Sequence, residues 1–303
     1  MELKPKATRQ AFGEALAELG ASNPKIVVLD ADLSKSTKSE IFAKKFPERF
    51  YEMGIAEANM IGTGAGMALS GYIPFICSFG AFVTGRYDQI RMSVSYARAN
   101  VKIIGTHSGV GIGDDGHSQM GLEDAGLMRG LPGMTVLQPC DEIETREMMK
   151  WAVAHKGPVY FRLTRQNLTP VHDESYKFNI GKFDVLKRGN SGVVLFGTGG
   201  VLQECVKAAA SKDVTVVNVG SVKPFDHEGV AALAKGAKLF ITVEDHYTTS
   251  GIGSALAESM AEQGLAGIKL KRLGVHEQFG ESGEPAELYD MHGISAKKIA
   301  EIL

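Results

Sequence analysis

Residues 53–85 read MGIAEANMIGTGAGMALSGYIPFICSFGAFVTG, and after Glu57 the run carries no charge as far as Gly85 while holding six glycines, a proline and several hydroxyls. Its composition is that of a segment that is buried but not greasy. Ala58, Gly62, Gly66 and Ser70 recur at every fourth position, which on a helix makes one stripe of small side chains along which another backbone can approach closely. The spacing predicts an interface helix, then a short strand through IPFIC, then Phe79 and Phe82 three positions apart. A lone acid, Glu57, stands at the mouth of this dry, aromatic-flanked region. Its bland reading is an acid in a first helical turn, favoured there by the helix dipole. Its functional reading is a chemical group, unless a partner neutralises it. A membrane span needs about 18 or more mostly apolar residues, and the glycines, Asn59 and Pro74 argue against one here.

Outward from this stretch, strands alternate with helices. Thr8 to Leu19 places Phe12, Leu16 and Leu19 on one helical face, with Gly20 as the stop. IVVLD at 26–30 is a buried strand, and ADLSKSTKS after it a polar turn. VKIIGT at 101–106 opens into the long loop HSGVGIGDDGHSQMG; MTVLQ and PVYFRL are further strands, separated by a helix over 141–154. This alternation predicts a doubly wound, mainly parallel α/β sheet over residues 1–168. Residues 169–190 are polar and read as a linker, and a second, smaller doubly wound α/β domain over 191–303 follows from GVVLFGTG, VTVVNV, KLFITVED and GIKLKRLGV.

The bulk numbers fit. A chain of 303 residues with 44% hydrophobic and 22% charged content has the composition of a soluble globular protein of about two domains. A formal net charge of −2 argues against nucleic-acid and membrane-surface partners. Cys77, Cys140 and Cys205 are odd in number and far apart, which suggests neither a disulfide framework nor a zinc site and points to a reduced, cytoplasmic protein. The first residues show no apolar targeting segment.

The loop after VKIIGT holds two decoys. Gly111-x-Gly113-x-x-Gly116 matches the dinucleotide fingerprint in letters, but it lies several residues past the strand, and Asp114 and Asp115 would oppose a diphosphate. His107, Asp114, Asp115 and His117 match no metal spacing that can be defended, so no metal ligand is assigned. The remaining reading is a glycine-rich loop that presents imidazole and carboxylate to a polyhydroxylated ligand. Arg9 and Arg165 each have a bland surface reading, yet Arg165 ends a strand where such folds place ligands, and a guanidinium suits phosphate.

Together, ATRQAFGEAL, ADLSKS, MGIAEANM, SFGAF, THSGVGIGDDG, RLTRQNL and TVEDHYTTSGIG resemble the C-terminal two-thirds of a transketolase, its pyrimidine-binding and C-terminal domains, over nearly the whole chain. The resemblance implies a thiamine diphosphate enzyme that moves a two-carbon ketol unit between sugar phosphates, as in the pentose phosphate pathway. It implies that Glu57 bonds the aminopyrimidine ring nitrogen and activates the cofactor, that Phe82 and Phe79 hold the pyrimidine, and that Asp32 lies near the thiamine. It further implies that His107 and Asp115 contact sugar hydroxyls, His107 with a catalytic part, and that Arg9, Ser36 and Arg165 form the sugar-phosphate site. Gln119 replaces a histidine that many members carry, so it can bond substrate but cannot shuttle a proton at neutral pH.

A larger departure is that the G-D-G motif of the family's diphosphate domain is absent. The expectation is therefore the C-terminal subunit of a split transketolase. A separate N-terminal chain would hold the diphosphate and Mg2+, and this chain would form a homodimer through the Ala58–Ser70 helix, most simply within a heterotetramer. Half of another thiamine enzyme, either a 2-oxo acid dehydrogenase β subunit or a deoxyxylulose-phosphate synthase, remains an alternative. So do a non-catalytic interaction subunit and, more remotely, a metal-dependent hydrolase.

Overall fold

The structure is a computed structural model, and it describes residues 4–303. A seven-stranded sheet has the order Ser221–Lys223, Thr135–Leu137, Val159–Arg162, Lys102–Thr106, Ile73–Phe79, Ile26–Asp30, Phe50–Glu52. Every neighbouring pair is parallel except the first. The central strands are buried on both faces, which is why they read as apolar runs rather than as alternating patterns. Helix Thr8–Ser22 covers one face and helix Glu57–Leu69 the other. Gly20 does not stop the first helix, which continues through it to Ser22. A side chain there would overlap the Phe42 ring, so this glycine serves packing.

The second sheet runs Lys269–Val275, Leu239–Tyr247, Val193–Gly197, Thr215–Asn218, Asp184–Lys187, with only the last pair antiparallel. Asp184–Lys187 falls inside the stretch expected as a linker, whose sequence is polar because an edge strand is buried on neither face. Ser221–Lys223 comes from the stretch expected as the second domain, yet it pairs with Thr135–Leu137 of the first sheet. Lys223 Nζ then donates to the carbonyls of Arg129 and Leu131. One hydrophobic cluster contains Val27 and Ile76 from one sheet and Val194, Phe196 and Phe240 from the other, so the two domains pack through shared core.

In the first sheet the chain goes from Ile26–Asp30 out to Phe50–Glu52, then crosses to Ile73–Phe79 on the opposite side. That reversal is a topological switch point, and open α/β sheets bind ligands at the carboxyl ends of strands there. The polar turn expected after Asp30 is a short helix, Ser34–Thr37, held by the buried Asp30 carboxylate, which accepts from Leu33 N, Thr37 Oγ1 and Ser39 Oγ at 2.7–2.8 Å. Burial outweighs these bonds and pushes Asp30 up to about 6.

Candidate active site at the carboxyl edge of the first sheet

Phe79 ends its strand and Phe82 lies in the next helical turn, so both rings project from the carboxyl edge. They stack 5.4 Å apart at 17°. His107, the residue after strand Lys102–Thr106, stacks on Phe79 at 3.8 Å and 25°. Its φ of 56° is left-handed, a conformation that costs about 1–3 kcal/mol for a residue other than glycine and clusters at functional sites.

Arg9 starts the first helix and reaches across the edge. Its Nη1 donates to the Ser36 carbonyl at 2.7 Å and lies 2.9 Å from His107 Nε2. Because a guanidinium can only donate, Nε2 is an acceptor and the imidazole proton resides on Nδ1. From there it donates to Thr106 Oγ1 at 2.9 Å. Burial, and then the charges of Arg9, Arg165 and Lys38, lower His107 to about 3. The ring is therefore held neutral at physiological pH. It is a fixed hydrogen-bonding group with its lone pair directed at Arg9.

Arg165 is exposed; its Nη1 donates to the Ile112 carbonyl at 3.0 Å and stands 3.7 Å from Asp115. With Ile112, Asp114, Gln166 and Glu284 it lines a cleft of about 210 Å³. Its charge is felt at Arg9 and at His107, so Arg9, Ser36, His107, Asp115 and Arg165 form one constellation. Ser36 contributes its carbonyl rather than its hydroxyl. Gln119 is half-buried on the same loop. Asp32 is exposed at a φ of 63°, and its amide donates to Glu52 at 2.8 Å. It stands at the rim and contacts no member of the constellation.

Glu57 is the first residue of helix Glu57–Leu69, 6% exposed. Its carboxylate takes no hydrogen bond or ion pair from any described residue. An acid buried at the positive end of a helix without a partner is poised to accept from a ligand. Of the decoys, His117 accepts from Gly280 N at 3.1 Å and packs on Phe279, facing the second domain rather than His107. Among the described residues Cys140, Asp141 and His172 are close enough to share a cation. His172, however, is already bound between two carboxylates, which leaves it no lone pair to offer.

Two groups escaped the sequence reading. Lys38 sits among nondescript turn residues, and only its charge, felt at His107, reveals it. Arg162 did carry a signal, a charge within the apolar run PVYFRL. Buried arginines require buried partners, and here they are Asp124 and Asp245.

Comparison with known proteins agrees with this geometry. Residues 4–170 match the family described as transketolase, pyrimidine binding domain, and residues 181–299 match transketolase, C-terminal domain. The chain belongs to the transketolase family. It is 38% identical to the transketolase of Homo sapiens over 97% of its own length, and it spans 48% of that protein. It is 37% identical to the 6-deoxy-6-sulfo-D-fructose transketolase subunit SqwH of Clostridium sp. (strain MSTE9), with 99% of this chain and 94% of that one covered. The solved structure of a split gene transketolase, an inactive beta4 tetramer, superposes with a TM-score of 0.89 at 42% identity, covering 97% of this chain and 96% of that one. This transketolase chain thus corresponds to the pyrimidine-binding and C-terminal domains, the C-terminal part of a split transketolase.

Proposed function

We propose that this chain is the C-terminal subunit of a hetero-oligomeric transketolase that becomes active when a separate diphosphate-binding chain joins it. The observation that carries the reading is one sheet edge where a buried, partnerless Glu57, the His107–Phe79–Phe82 ring stack and the Arg9 and Arg165 guanidiniums all belong to the switch-point architecture. The residues present fit the pyrimidine end of thiamine diphosphate: an aromatic pair for the ring and an acid that accepts nothing else. When bound, thiamine diphosphate supplies a thiazolium that stores the electrons of the cleaved carbon–carbon bond. Glu57 holds the proton of the aminopyrimidine nitrogen. His107 and Asp115 orient sugar hydroxyls, Gln119 bonds the sugar, and Arg9, Lys38 and Arg165 supply a field for the anionic end of the substrate. Asp32, at the rim, faces the thiamine.

The assignment of Mg2+ and the diphosphate to the partner rests on this edge having, among the described residues, no group of three acids or other ligands close enough to share a cation, and on Asp115 standing against Arg165. Assembly rests on the open face of the interface helix. Ala58, Gly62, Gly66 and Ser70 are exposed, and nothing lies within 4 Å of a side chain added at Gly62 or Gly66. Ile55, Leu69 and Tyr96, at 82%, 71% and 81% exposure, flank them, an apolar patch of a kind that marks an interface. A second copy seated there closes over the turn that carries Glu57. No described helix is long and apolar enough to cross a membrane; the three buried free cysteines suit a reducing cytoplasm.

The test is a substrate panel on the chain mixed with its diphosphate-binding partner. Ketol transfer from phosphorylated ketoses, with 6-deoxy-6-sulfofructose as a second anionic donor, is expected, and pyruvate decarboxylation is not. Pyruvate turnover without ketol transfer would reassign the chain to the 2-oxo acid dehydrogenase class. Loss of thiamine binding even with the partner would leave an interaction subunit.

A further inference from the structure

Both ends of the loop that carries His107, Asp115 and Gln119 close on Gly121, whose carbonyl accepts from Gly109 N at 2.9 Å and from Arg162 Nη2 at 2.9 Å. Ser108 bridges to Gly121 as well. Arg162 is itself buried. Its Nε contacts both oxygens of Asp124 at 3.0 Å, and its Nη1 donates to Asp245 Oδ1 at 2.6 Å. Asp124 also accepts from Tyr160 Oη at 2.6 Å. Asp245 lies on strand Leu239–Tyr247 of the second domain and is 1% exposed. Its other oxygen, Oδ2, is buried without a partner, directly beneath Gly109, whose φ is +87° and where any side chain would overlap the Asp245 carboxylate. Gly80, between Phe79 and Phe82, has the Asp124 carboxylate and the Tyr160 hydroxyl as near neighbours. One buried charge network from the second domain therefore touches the hinge of the sugar loop and the base of the ring stack.

We propose that Asp245 is a positioning residue for the transferase reaction, through which the second domain sets the sugar loop in its binding conformation. The proposal deepens the reading above and rests on it for the identity of the substrate. The same domain also meets the loop's outer half through Gly280 N to His117 at 3.1 Å, and the residue after its closure through Tyr247 N to the Leu122 carbonyl at 3.0 Å. Neither of these contacts involves a carboxylate, whereas Asp245 lies directly under Gly109 and reaches the Gly121 carbonyl through Arg162. Asp245→Ala opens a void under Gly109 and leaves Arg162 with a single carboxylate. Asp245→Asn keeps the volume and an oxygen acceptor for Arg162.

The experiment measures amide hydrogen exchange of the full chain, alone and with the diphosphate-binding chain, together with ketol-transfer kinetics of the complex. For Asp245→Ala, exchange over residues 107–121 is expected to quicken by about tenfold or more while strands Val193–Gly197 and Leu239–Val243 keep their protection, the mark of a local opening. The kcat/KM for sugar is expected to fall by about 100-fold, as about an ångström of misplacement does, mainly through KM. Thiamine diphosphate affinity should hold, and Asp245→Asn should recover most of the loss. Unchanged loop exchange, or exchange raised equally throughout the second domain, overturns the proposal. Should Asp245→Ala fail to fold, Gly109→Ala disturbs the same contact from the loop side and must loosen 107–121 alone, and a protected loop in that variant overturns it equally. An unmutated complex without ketol transfer would sink the transketolase reading instead, and the exchange result would stand apart from it.

Discussion

Two buried histidines in this molecule differ in charge, one neutral and one protonated, and the reason separates its candidate site from its scaffold. His107 stands among Arg9, Lys38 and Arg165 and is lowered to about 3 by burial and by those cations. His172 lies between Asp141 and Asp184, 2.9 Å from each, under the Tyr176 ring. Burial opposes its charge, but the two carboxylate bonds prevail and push it up to about 10. Around His172 every charge is answered: Asp141 also accepts from Glu144 N, Val171 N and His172 N, which ties the first domain, the connecting segment and the edge strand Asp184–Lys187 together. Around His107 the cations outnumber the acids, with only Asp115 opposite them at 3.7 Å from Arg165. Unanswered charge at a strand-end edge is the mark of a site that waits for a ligand of opposite sign, whereas answered charge is the mark of a clamp.

Substitutions should therefore cost activity at the edge and stability at the clamp. The largest effect is expected at Glu57. Glu57→Gln should leave the fold intact and lower ketol transfer by at least the 10²–10⁴-fold typical of a positioned acid or base. Near-normal turnover would remove Glu57 from the chemistry.

Arg165→Ala comes next. A charge-assisted bond worth about 1.5–3 kcal/mol disappears only for charged substrates. KM for phosphorylated sugars should rise by roughly 10- to 100-fold, with glycolaldehyde hardly affected and the melting temperature unmoved. Equal losses on both substrates would make Arg165 structural and erase the contrast.

His107 sharpens the comparison through pH. With a folded value of about 3, its contribution to stability is complete above about 6.5 and is lost only as pH falls toward 3. The pH profile of kcat/KM between 5 and 8 should therefore keep its shape in His107→Asn even as its height drops. A limb near neutrality that vanishes in the variant would show that His107 titrates there after all.

The smallest effect is expected at the clamp. His172 is raised above its unfolded value, so its contribution is complete below about 6.5 and is lost as pH rises through about 10. Between pH 7 and 10 the wild type should lose several degrees of melting temperature, ~5 °C, more than His172→Gln loses, while ketol transfer at pH 7 stays close to normal. Parallel melting curves in the two proteins would contradict the clamp.

The sheet edge was legible in the sequence because its signals are local. Apolar runs mark strands buried on both faces, and the small-residue stripe fixes which side of helix Glu57–Leu69 stays open. The clamp was illegible for the opposite reason. His172 and Asp184 lie in a stretch whose polarity suggests a linker, Asp141 at the start of the helix over 141–154, and the cluster spans 43 positions from Asp141 to Asp184. Nothing local announces that Asp184–Lys187 will add to the second sheet, or that Ser221–Lys223 will add to the first. The neutrality of His107 was not legible because it depends on burial and on Arg9, Arg165 and Lys38, which only the folded edge brings near.

On the proposed function this edge is one half of a cofactor site. A carboxylate and an aromatic pair would grip a pyrimidine, but the charge of thiamine diphosphate lies mostly on its phosphates, whose Mg2+ needs oxygen ligands that keep near-ideal octahedral geometry. The direct measurement is calorimetric titration of the purified chain with thiamine diphosphate and Mg2+, with and without the diphosphate-binding chain, with ketol transfer assayed on the same samples. The expected result is a homo-oligomer that binds weakly and is inactive alone, and that gains tight binding and activity together when the partner is added. Tight binding and ketol transfer by the chain alone, free of any second polypeptide, would contradict it.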